Sequence, residues 1–417
     1  MAHWGVAMSL FHQLWEPNLA PASLPNAEKE IANARRIGST DARERGYIRA
    51  FSLLIKDANT VPFSSRNQHY EQAMADLAHR NPNDIEAQVF YALALLSNAP
   101  PADKTHSRQK QALAILEPLD RAYPEHPGIT HYIIHASDSG ELAAGGLSAA
   151  RKYAQIAPSV PHALHMPSHI FTRLGLWQDS VTSNLAASRA AREQNDPGEE
   201  LHAMDYLVYA YLQLGRYDDA RHVIDQLNSM ERLGNGDFKV GYAATAMPVR
   251  YAVERHQWDE AATIKPDAKS LPQVAAIAVW AHALGRTRGE HTANVNRDVA
   301  TLQLYEHQLK NAGNEYWASQ VSILREEVGA WAAQANGEHA EAEAQLRGAA
   351  DEEDSLEKLP VTPGPVVPAR EQLGELLLKQ HRAADAVVAF KTSLVNAPGR
   401  KSALDGLALA TQEMAAR

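Results

Sequence analysis

The sequence predicts an all-α fold, and three observations support this. Apolar residues recur with the helical period of 3.6 along nearly the whole chain, which is rich in Ala, Leu, Glu, Arg and Gln. No run of alternating apolar and polar residues is flanked by hairpin turns, as a β-sheet would require. Short breaks rich in Pro, Gly, Asn and Asp separate segments of about 12 to 18 residues, which is typical of helical hairpins.

The positions of the breaks define the expected helices. We expect about ten hairpins and one closing helix. The predicted helices span residues 2–15, 24–36, 40–56, 64–80, 84–97, 105–122, 127–138, 141–157, 162–174, 178–194, 199–214, 217–230, 239–255, 258–265, 271–285, 290–311, 314–336, 338–350, 367–380, 382–396 and 402–416.

The hairpins repeat along the chain. Gly175, Gly215 and His256 mark successive interhelical turns, at intervals of 40 and 41 residues. Two stretches carry one pattern of small and aromatic residues, namely Leu207, Tyr211, Gly215, Tyr217 and Ala220, and Leu373, Gly374, Ala386, Phe390 and Pro398. This pattern resembles the tetratricopeptide repeat (TPR), whose small residues let two helices approach while an aromatic ring fills the space between hairpins. The resemblance implies a right-handed superhelix, an α-solenoid with irregular repeat lengths.

Four further segments resemble a narrower group of proteins. They are Ala2–Met8, His131–His135, Pro161–Phe171 and Pro360–Glu371. Such segments are similar to those of a His-rich family of bacterial TPR proteins without an assigned activity, so the resemblance implies a fold and no reaction. In such relatives the segment around Trp4 follows a further helical hairpin and often an export signal, which implies that the natural chain begins upstream.

We expect one continuous solenoid over residues 1–417. It is divided into N-terminal hairpins at 1–126, His-rich central repeats at 127–230, irregular repeats at 231–359, and a C-terminal repeat with a capping helix at 360–417. The proline-rich run at 360–368 cannot be helical throughout, because proline lacks a backbone donor. It is therefore expected to form a rigid linker into the last repeat.

Composition restricts the partners and the chemistry. The net charge is -10 and no dense Lys/Arg run occurs, so nucleic acid is not an expected partner. No stretch approaches the roughly 18 apolar residues of a membrane helix, so membrane insertion is not expected. The N-terminus carries no export signal, which predicts a cytoplasmic protein as given, or a periplasmic one if the natural N-terminus is longer. Because there is no cysteine, any metal must be held by imidazole and carboxylate.

The central repeats hold the densest group of ligating side chains. Its members are His131, His135, His162, His165, His169 and His202, with Asp138 and Asp205 nearby. Spacings of three and four residues place side chains on one side of a helix. The TPR register implies that three adjacent first helices project these groups into one concave groove. Pro167 complicates this argument, because a helix that starts there leaves only His169 on a regular helical face.

This cluster predicts a site for one or two transition-metal ions. Imidazole and carboxylate without thiolate suit Zn, Cu, Fe, Ni or Mn. One division assigns His131, His135 and either His165 or His169 to a first ion, and His162, His202 and Asp205 to a second. Asp138 would then accept a hydrogen bond that fixes the tautomer of a ligating imidazole.

Other side chains in the same repeats are candidates for the substrate side of the site. Arg173, Tyr206 and Tyr209 are expected to line it, and Asp205, Tyr206 and Arg173 are the catalytic candidates. The expected function is a metal-dependent enzyme that acts on a small molecule in the concave groove, by hydrolysis or by oxidation.

Two alternatives use the same groove without catalysis. A polar groove could bind an acidic peptide or a small anion through its histidines. A non-enzymatic TPR adaptor could hold a peptide or protein partner, which predicts polar side chains spread over many repeats rather than concentrated in three. Isolated histidines such as His79, His106, His222 and His307 are expected to be ordinary surface or hydrogen-bonded groups.

Overall fold

The computed structural model of this chain describes residues 1–14, 22–230, 238–289 and 295–416. Regular structure within these ranges is helical throughout, and the prediction of an all-α, TPR-like solenoid is confirmed. None of the described helices combines the length and the apolar character that crossing a bilayer requires. The chain forms two compact units, Met1–Ile156 and Ala157–Arg417. The sequence-based boundaries at 127, 231 and 360 stay predictions.

The first unit is a series of helices in which each packs against the next along the chain. This is the hairpin arrangement that the sequence breaks predict. The helices are α1 (Ala2–Met8), α2 (Leu24–Ile37), α3 (Ala42–Ile55), α4 (Phe63–Arg80), α5 (Ile85–Ser97), α6 (Ser107–Ala122), α7 (Pro127–Ala136) and α8 (Ala143–Ile156).

The first helix is shorter than expected, since it ends at Met8 rather than continuing to residue 15. The amides of Leu10 and Phe11 bond to carbonyls three residues back, at 3.2 and 3.1 Å, a tighter turn that often ends a helix. The Phe11 ring then packs edge-on against Phe51 and Tyr70. Burial of this ring in the core explains why the apolar periodicity of the segment does not continue as helix.

The second unit continues the same succession of packed helices. Its elements agree with the expected segments to within a few residues at most ends, although the expected helix over 258–265 stops at Ala261. The helices are α9 (Pro161–His165), α10 (Pro167–Arg173), α11 (Trp177–Glu193), α12 (Pro197–Gln213), α13 (Tyr217–Ser229), α14 (Phe238–Glu254), α15 (Trp258–Ala261), α16 (Pro272–Arg288), α17 (Asn296–Asn311), α18 (Glu315–Ala335), α19 (His339–Asp354), α20 (Ala369–Lys379), α21 (Ala383–Asn396) and α22 (Lys401–Ala415).

The three predicted interhelical turns share one geometry. Gly175, Gly215 and His256 have φ values of 69°, 68° and 54°, in the left-handed region. The residue after each turn donates its amide to a carbonyl five residues back, at 2.8 to 2.9 Å, which is the Schellman pattern of a helix end. The periodic turns are therefore confirmed as repeats of one local structure.

Close helix packing explains the small residues of the repeat pattern. A Cβ on Gly374 in α20 would lie 2.7 Å from a ring carbon of Phe390 in α21. The Phe390 side chain is fully buried. A larger residue at 374 would collide with this ring, as the TPR resemblance implies.

The expected rigid linker is instead an interior segment of the second unit. We call residues 359–368, which lie between α19 and α20, the strap. Val361, Thr362, Val366 and Val367 of the strap are buried, at 4 to 7% exposure. Its backbone carbonyls are held by side chains of α12 and α14, and it packs as part of the core rather than as a spacer.

Candidate metal centre

Three different helices bring His165, His169 and His202 together in the second unit. His165 is the last residue of α9, His169 lies in the first turn of α10, and His202 lies in α12. Pro167 starts α10, because proline has no amide to continue the hydrogen bonding of α9. Met166 between the two helices keeps helical angles, φ -51° and ψ -35°. His165 and His169 therefore still face the same side, as their spacing of four predicts.

The three imidazole nitrogens lie close enough together to be candidate ligands of one metal ion. One nitrogen from each ring can be chosen so that all three lie within 4.8 Å of one another. Nε2 of His165 and Nε2 of His169 are 3.0 Å apart. Ligands of a tetrahedral ion with bonds of about 2.0–2.1 Å stand about 3.3 Å apart. The His165–His169 pair fits this separation, and the His202 ring centroid lies 4.2 Å from that of His165.

Asn184 of α11 fixes the tautomer of His165. The Asn184 amide nitrogen donates to the Ser180 carbonyl at 2.8 Å, so its oxygen is left to accept. Nδ1 of His165 donates to this oxygen at 2.6 Å. The proton of the neutral ring is thereby held on Nδ1, and the Nε2 lone pair faces His169. A carbonyl acceptor behind a ligating imidazole is the usual support for a metal-bound histidine.

Burial affects the protonation of two imidazoles of the cluster. His165, His169 and His202 are 0 to 1% exposed. Burial lowers the pKa of His165 well below its ordinary value, and the neighbouring His202 and His169 lower it further. Burial likewise lowers the pKa of His202 well below its ordinary value, against the opposing effect of Glu199. Neutral imidazole is the form that binds metal ions, so the environment selects the ligating state.

Tyr206 packs on all three imidazoles. Its ring centroid lies 4.7 Å from that of His165, 5.2 Å from His169 and 5.4 Å from His202. Its hydroxyl lies 3.1 Å from the Thr362 carbonyl of the strap, to which it donates. The sequence-predicted catalytic candidate thus touches the cluster through its ring, while its hydroxyl binds the strap.

Asp205 takes part in a buried ion pair. Its Oδ1 lies 3.2 Å from Nε of Arg250 in α14, and both side chains are at most 1% exposed. The other two guanidinium nitrogens donate to the strap carbonyls of Gly364 and Pro365, at 2.9 and 2.8 Å. Burial raises the pKa of Asp205, and Arg250 opposes this effect. Among the described residues none donates a hydrogen bond to Oδ2 of Asp205.

The remaining sequence-predicted residues of the second unit have other neighbours. Nδ1 of His162 lies 3.3 Å from a carboxylate oxygen of Glu199, which also pairs with Lys239 at 2.7 Å. Arg173 pairs with Glu357 at 3.3 Å.

Tyr209 contributes to a second buried polar group. Its hydroxyl accepts a hydrogen bond from Arg400 at 2.9 Å. Arg400 also pairs with Glu371 at 2.8 Å. Tyr209 thus contacts a structural ion pair rather than an imidazole.

His131, His135 and Asp138 belong to the first unit. Nε2 of His131 and Nε2 of His135 are 3.1 Å apart on α7. The His131 ring stacks on Tyr153 of α8, with centroids 5.4 Å apart. Asp138 follows the end of α7, where its amide bonds to the His135 carbonyl at 3.3 Å. Their assignment to a metal ion stays a prediction.

Sequence reasoning missed three features of this centre. It grouped His202 with His162 and Asp205, whereas the structure groups His202 with His165 and His169. It did not single out Asn184, an unremarkable residue of α11 whose role depends on a contact 19 positions away. It also read the strap as a linker, although its run of Val and Pro residues is a signal for a buried extended segment.

Comparisons with known proteins add information about the fold alone. No family model matches the chain, and no curated protein matches its sequence. Solved structures of IFIT1 match instead, at 10% identity. A human IFIT1 dimer with m7Gppp-AAAA has a TM-score of 0.41, covering 95% of this chain and 87% of the other. A monomeric IFIT1 mutant with Gppp-AAAA also has a TM-score of 0.41, covering 94% and 87%.

These matches correct the expectation about partners. Net negative charge and the lack of a basic run were taken to exclude nucleic acid. That expectation is contradicted by the neighbouring structures, in which IFIT1 was solved with capped RNA.

Proposed function

We propose that this protein binds a transition-metal ion through His165, His169 and His202. The observation that carries the proposal is the convergence of three fully buried imidazoles, one nitrogen of each lying within 4.8 Å of the others. Three imidazole nitrogens gathered at this separation form the kind of donor set that a transition-metal ion takes.

The fold itself does not require these rings. By the spacing of the turns, the places of His202 and His165 are held in α14 by Ala243 and Ala246, and the place of His169 by Arg250. Both alanines are buried in α14, which packs against its neighbours without any imidazole. The histidines are therefore better explained by ligand binding than by helix packing. The resemblance to His-rich bacterial TPR proteins belongs to the same proposal, since it rests on the segment that contains His165 and His169.

The donor set favours a borderline metal. Three neutral nitrogen donors suit Zn, Cu or Fe better than the oxygen-seeking Mg or Ca. A set of three protein ligands leaves a fourth position for water, which is typical of catalytic zinc sites, whereas structural sites close four protein ligands around the ion. This open position supports hydrolytic or oxidative chemistry at the ion, with Tyr206 beside it.

One observation weakens the adaptor alternative for the second unit. The side chains of Tyr206 and Arg250, which an adaptor would use to hold a bound peptide, already hold the carbonyls of the chain's own strap.

The test is element analysis of the purified protein, followed by zinc competition on single variants. Changing His165, His169 or His202 to Ala should lower zinc affinity by about tenfold or more, because each removes a direct ligand. His222→Ala and His307→Ala serve as controls and should leave affinity unchanged. A protein that takes up no metal, or an equal loss in all five variants, would refute a localised centre.

The number of metal ions bound per chain tests whether a second ion is present. If His131 and His135 hold an ion of their own, the parent binds two equivalents and His135→Ala removes one of them. A single equivalent that survives His135→Ala assigns the ion to the second unit alone.

A further inference from the structure

The strap is bound by a side chain of α12, the helix that also carries His202 of the metal centre. It runs without helix from residue 359 to residue 368. Three groups hold its backbone: the Tyr206 hydroxyl, the Arg250 guanidinium and the Tyr316 hydroxyl, which accepts from the Leu359 amide at 3.3 Å. These groups therefore fix the backbone of the strap at its start and in its middle.

One face of α12 connects the strap to the imidazoles. His202, Asp205 and Tyr206 stand three and four residues apart, so they lie on one side of the helix. His202 belongs to the imidazole cluster, and Asp205 pairs with the Arg250 guanidinium that binds the strap. Tyr206 contacts both the imidazoles and the strap.

We expect an ion bound by the three imidazoles to affect the contact between Tyr206 and the strap. An ion bound by all three rings would fix their positions relative to one another, since one nitrogen of each ring lies within 4.8 Å of the others. The Tyr206 ring contacts all three imidazoles, so its position changes with theirs. Its hydroxyl is the group that holds Thr362. The seating of the strap and the positions of the imidazoles therefore depend on each other.

We propose that the strap closes the tri-histidine centre, and that metal binding and strap seating are coupled through Tyr206. This inference rests on the proposed function, because it concerns access to the same ion. In this arrangement Tyr206 is a positioning residue. A bound ion stabilises the seated strap, and by linkage a seated strap slows the loss of the ion.

The absence of cysteine makes strap opening directly measurable. Val361→Cys places a single thiol at a strap position that is 4% exposed in the parent. The variant is loaded with one equivalent of zinc and treated with a thiol-reactive dye, with and without prior removal of zinc by a chelator. We expect labelling to be about tenfold faster after zinc removal, within the usual range of coupling between linked sites.

Ser393→Cys is the matched control, since Ser393 is 1% exposed and lies in α21, outside the strap. Its labelling should change by less than about twofold. Cobalt loading of Val361→Cys should show no thiolate charge-transfer band, which confirms that the thiol is not a ligand. Equal acceleration at both thiols, or none at either, would overturn the coupling.

A second test approaches the coupling from the strap side. Tyr206→Phe keeps the ring against the imidazoles and removes the hydrogen bond to the strap. We expect zinc to bind at the parent stoichiometry and a chelator to remove it about tenfold faster. Tyr211→Phe, on the same helix, is the control and should keep the parent rate. An unchanged rate in Tyr206→Phe would overturn the inference.

These tests separate the two proposals. If the parent contains no zinc after loading, the proposed function fails, and the coupling fails with it. If zinc binds but neither the thiol nor the Tyr206→Phe variant responds, the centre stands and only its closure by the strap is refuted.

Discussion

Two buried polar groups share one face of α12, and they differ in how their polarity is satisfied. The Asp205 carboxylate pairs with the Arg250 guanidinium, whose remaining donors bond to carbonyls of the strap. Around His202, three imidazole rings face one another, and Asn184 accepts a hydrogen bond from His165 at the edge of the group.

This difference distinguishes a polar group that stabilises the fold from one that is a candidate ligand site. The Arg250 group is explained by the fold, because it ties α12, α14 and the strap together. The imidazole group brings together three side chains of the type that binds transition metals, and we propose that a bound ion accounts for it. The predictions that follow test this contrast, from the largest expected effect to the smallest.

The largest effect should come from the structural group. Arg250→Met leaves Asp205 buried without its partner and removes the donors of two strap carbonyls, so the free energy of unfolding should fall by about 3–5 kcal/mol. Urea denaturation measures this loss. The control is Arg347→Met, which breaks a pair with Glu343 in which the arginine is 47% exposed, and should cost about 0–1 kcal/mol. Similar losses in the two variants would show that the Arg250 group does not stabilise the fold.

Metal removal should have a smaller effect on stability. Stacked repeats support each other on both sides of the centre, so the metal-free protein should keep its helical circular dichroism at neutral pH. Zinc at a hundred times its dissociation constant should add about 2.7 kcal/mol to the free energy of unfolding. Loss of most of the helical signal after chelation would make the ion a structural element and remove the contrast.

The pH dependence of the metal-free protein should reveal the buried imidazoles. In the unfolded chain their pKa is about 6.5, and burial lowers the pKa of His165 and His202 in the folded state. Below pH 6.5 the unfolded state therefore binds protons that the folded state does not. The free energy of unfolding should fall as the pH drops, by up to about 1.4 kcal/mol per pH unit for each ring.

A double variant isolates this contribution. His165→Gln with His202→Gln removes both rings, so the slope between pH 6.5 and 5 should become shallower, while carboxylates common to both proteins cancel in the comparison. Denaturation at a series of pH values gives the two slopes. Parallel slopes would mean that these imidazoles are protonated in the folded protein.

The smallest effect should come from the support of one ligand. Asn184→Ala removes the carbonyl that holds the proton of His165 on Nδ1, and zinc affinity should fall by about tenfold. The control is Ser183→Ala, since Ser183 is the preceding residue and bonds to the α9 backbone at 2.5 Å without touching an imidazole. If both variants bind zinc equally well, Asn184 does not orient a metal ligand.

Most of the fold was predictable because its determinants are local. Helical periodicity and the breaks between segments placed nearly all the helices, and glycine at positions 175 and 215 marked turns that need a positive φ. Where prediction was wrong, contacts distant in sequence decided the outcome. Phe11 leaves its helix to pack on Phe51 and Tyr70, which no pattern within the segment shows.

The candidate site was predictable in composition but not in grouping. The density of histidines identified His165, His169 and His202 as candidates, and their convergence agrees with that expectation. The pairing of Asp205 with Arg250, 45 residues away, could not be read from local spacing. The strap was missed for the same reason, because Tyr206 and Arg250, two of the groups that hold it, are more than a hundred residues distant.

The central claim is that one ion is held by three imidazoles of the second unit. Anomalous diffraction from crystals of the zinc-loaded protein, measured above and below the zinc edge, tests it most directly. We predict a single strong peak within about 2.0–2.1 Å of one nitrogen each of His165, His169 and His202. The account is contradicted if no peak lies among these rings, or if the zinc is bound elsewhere on the chain.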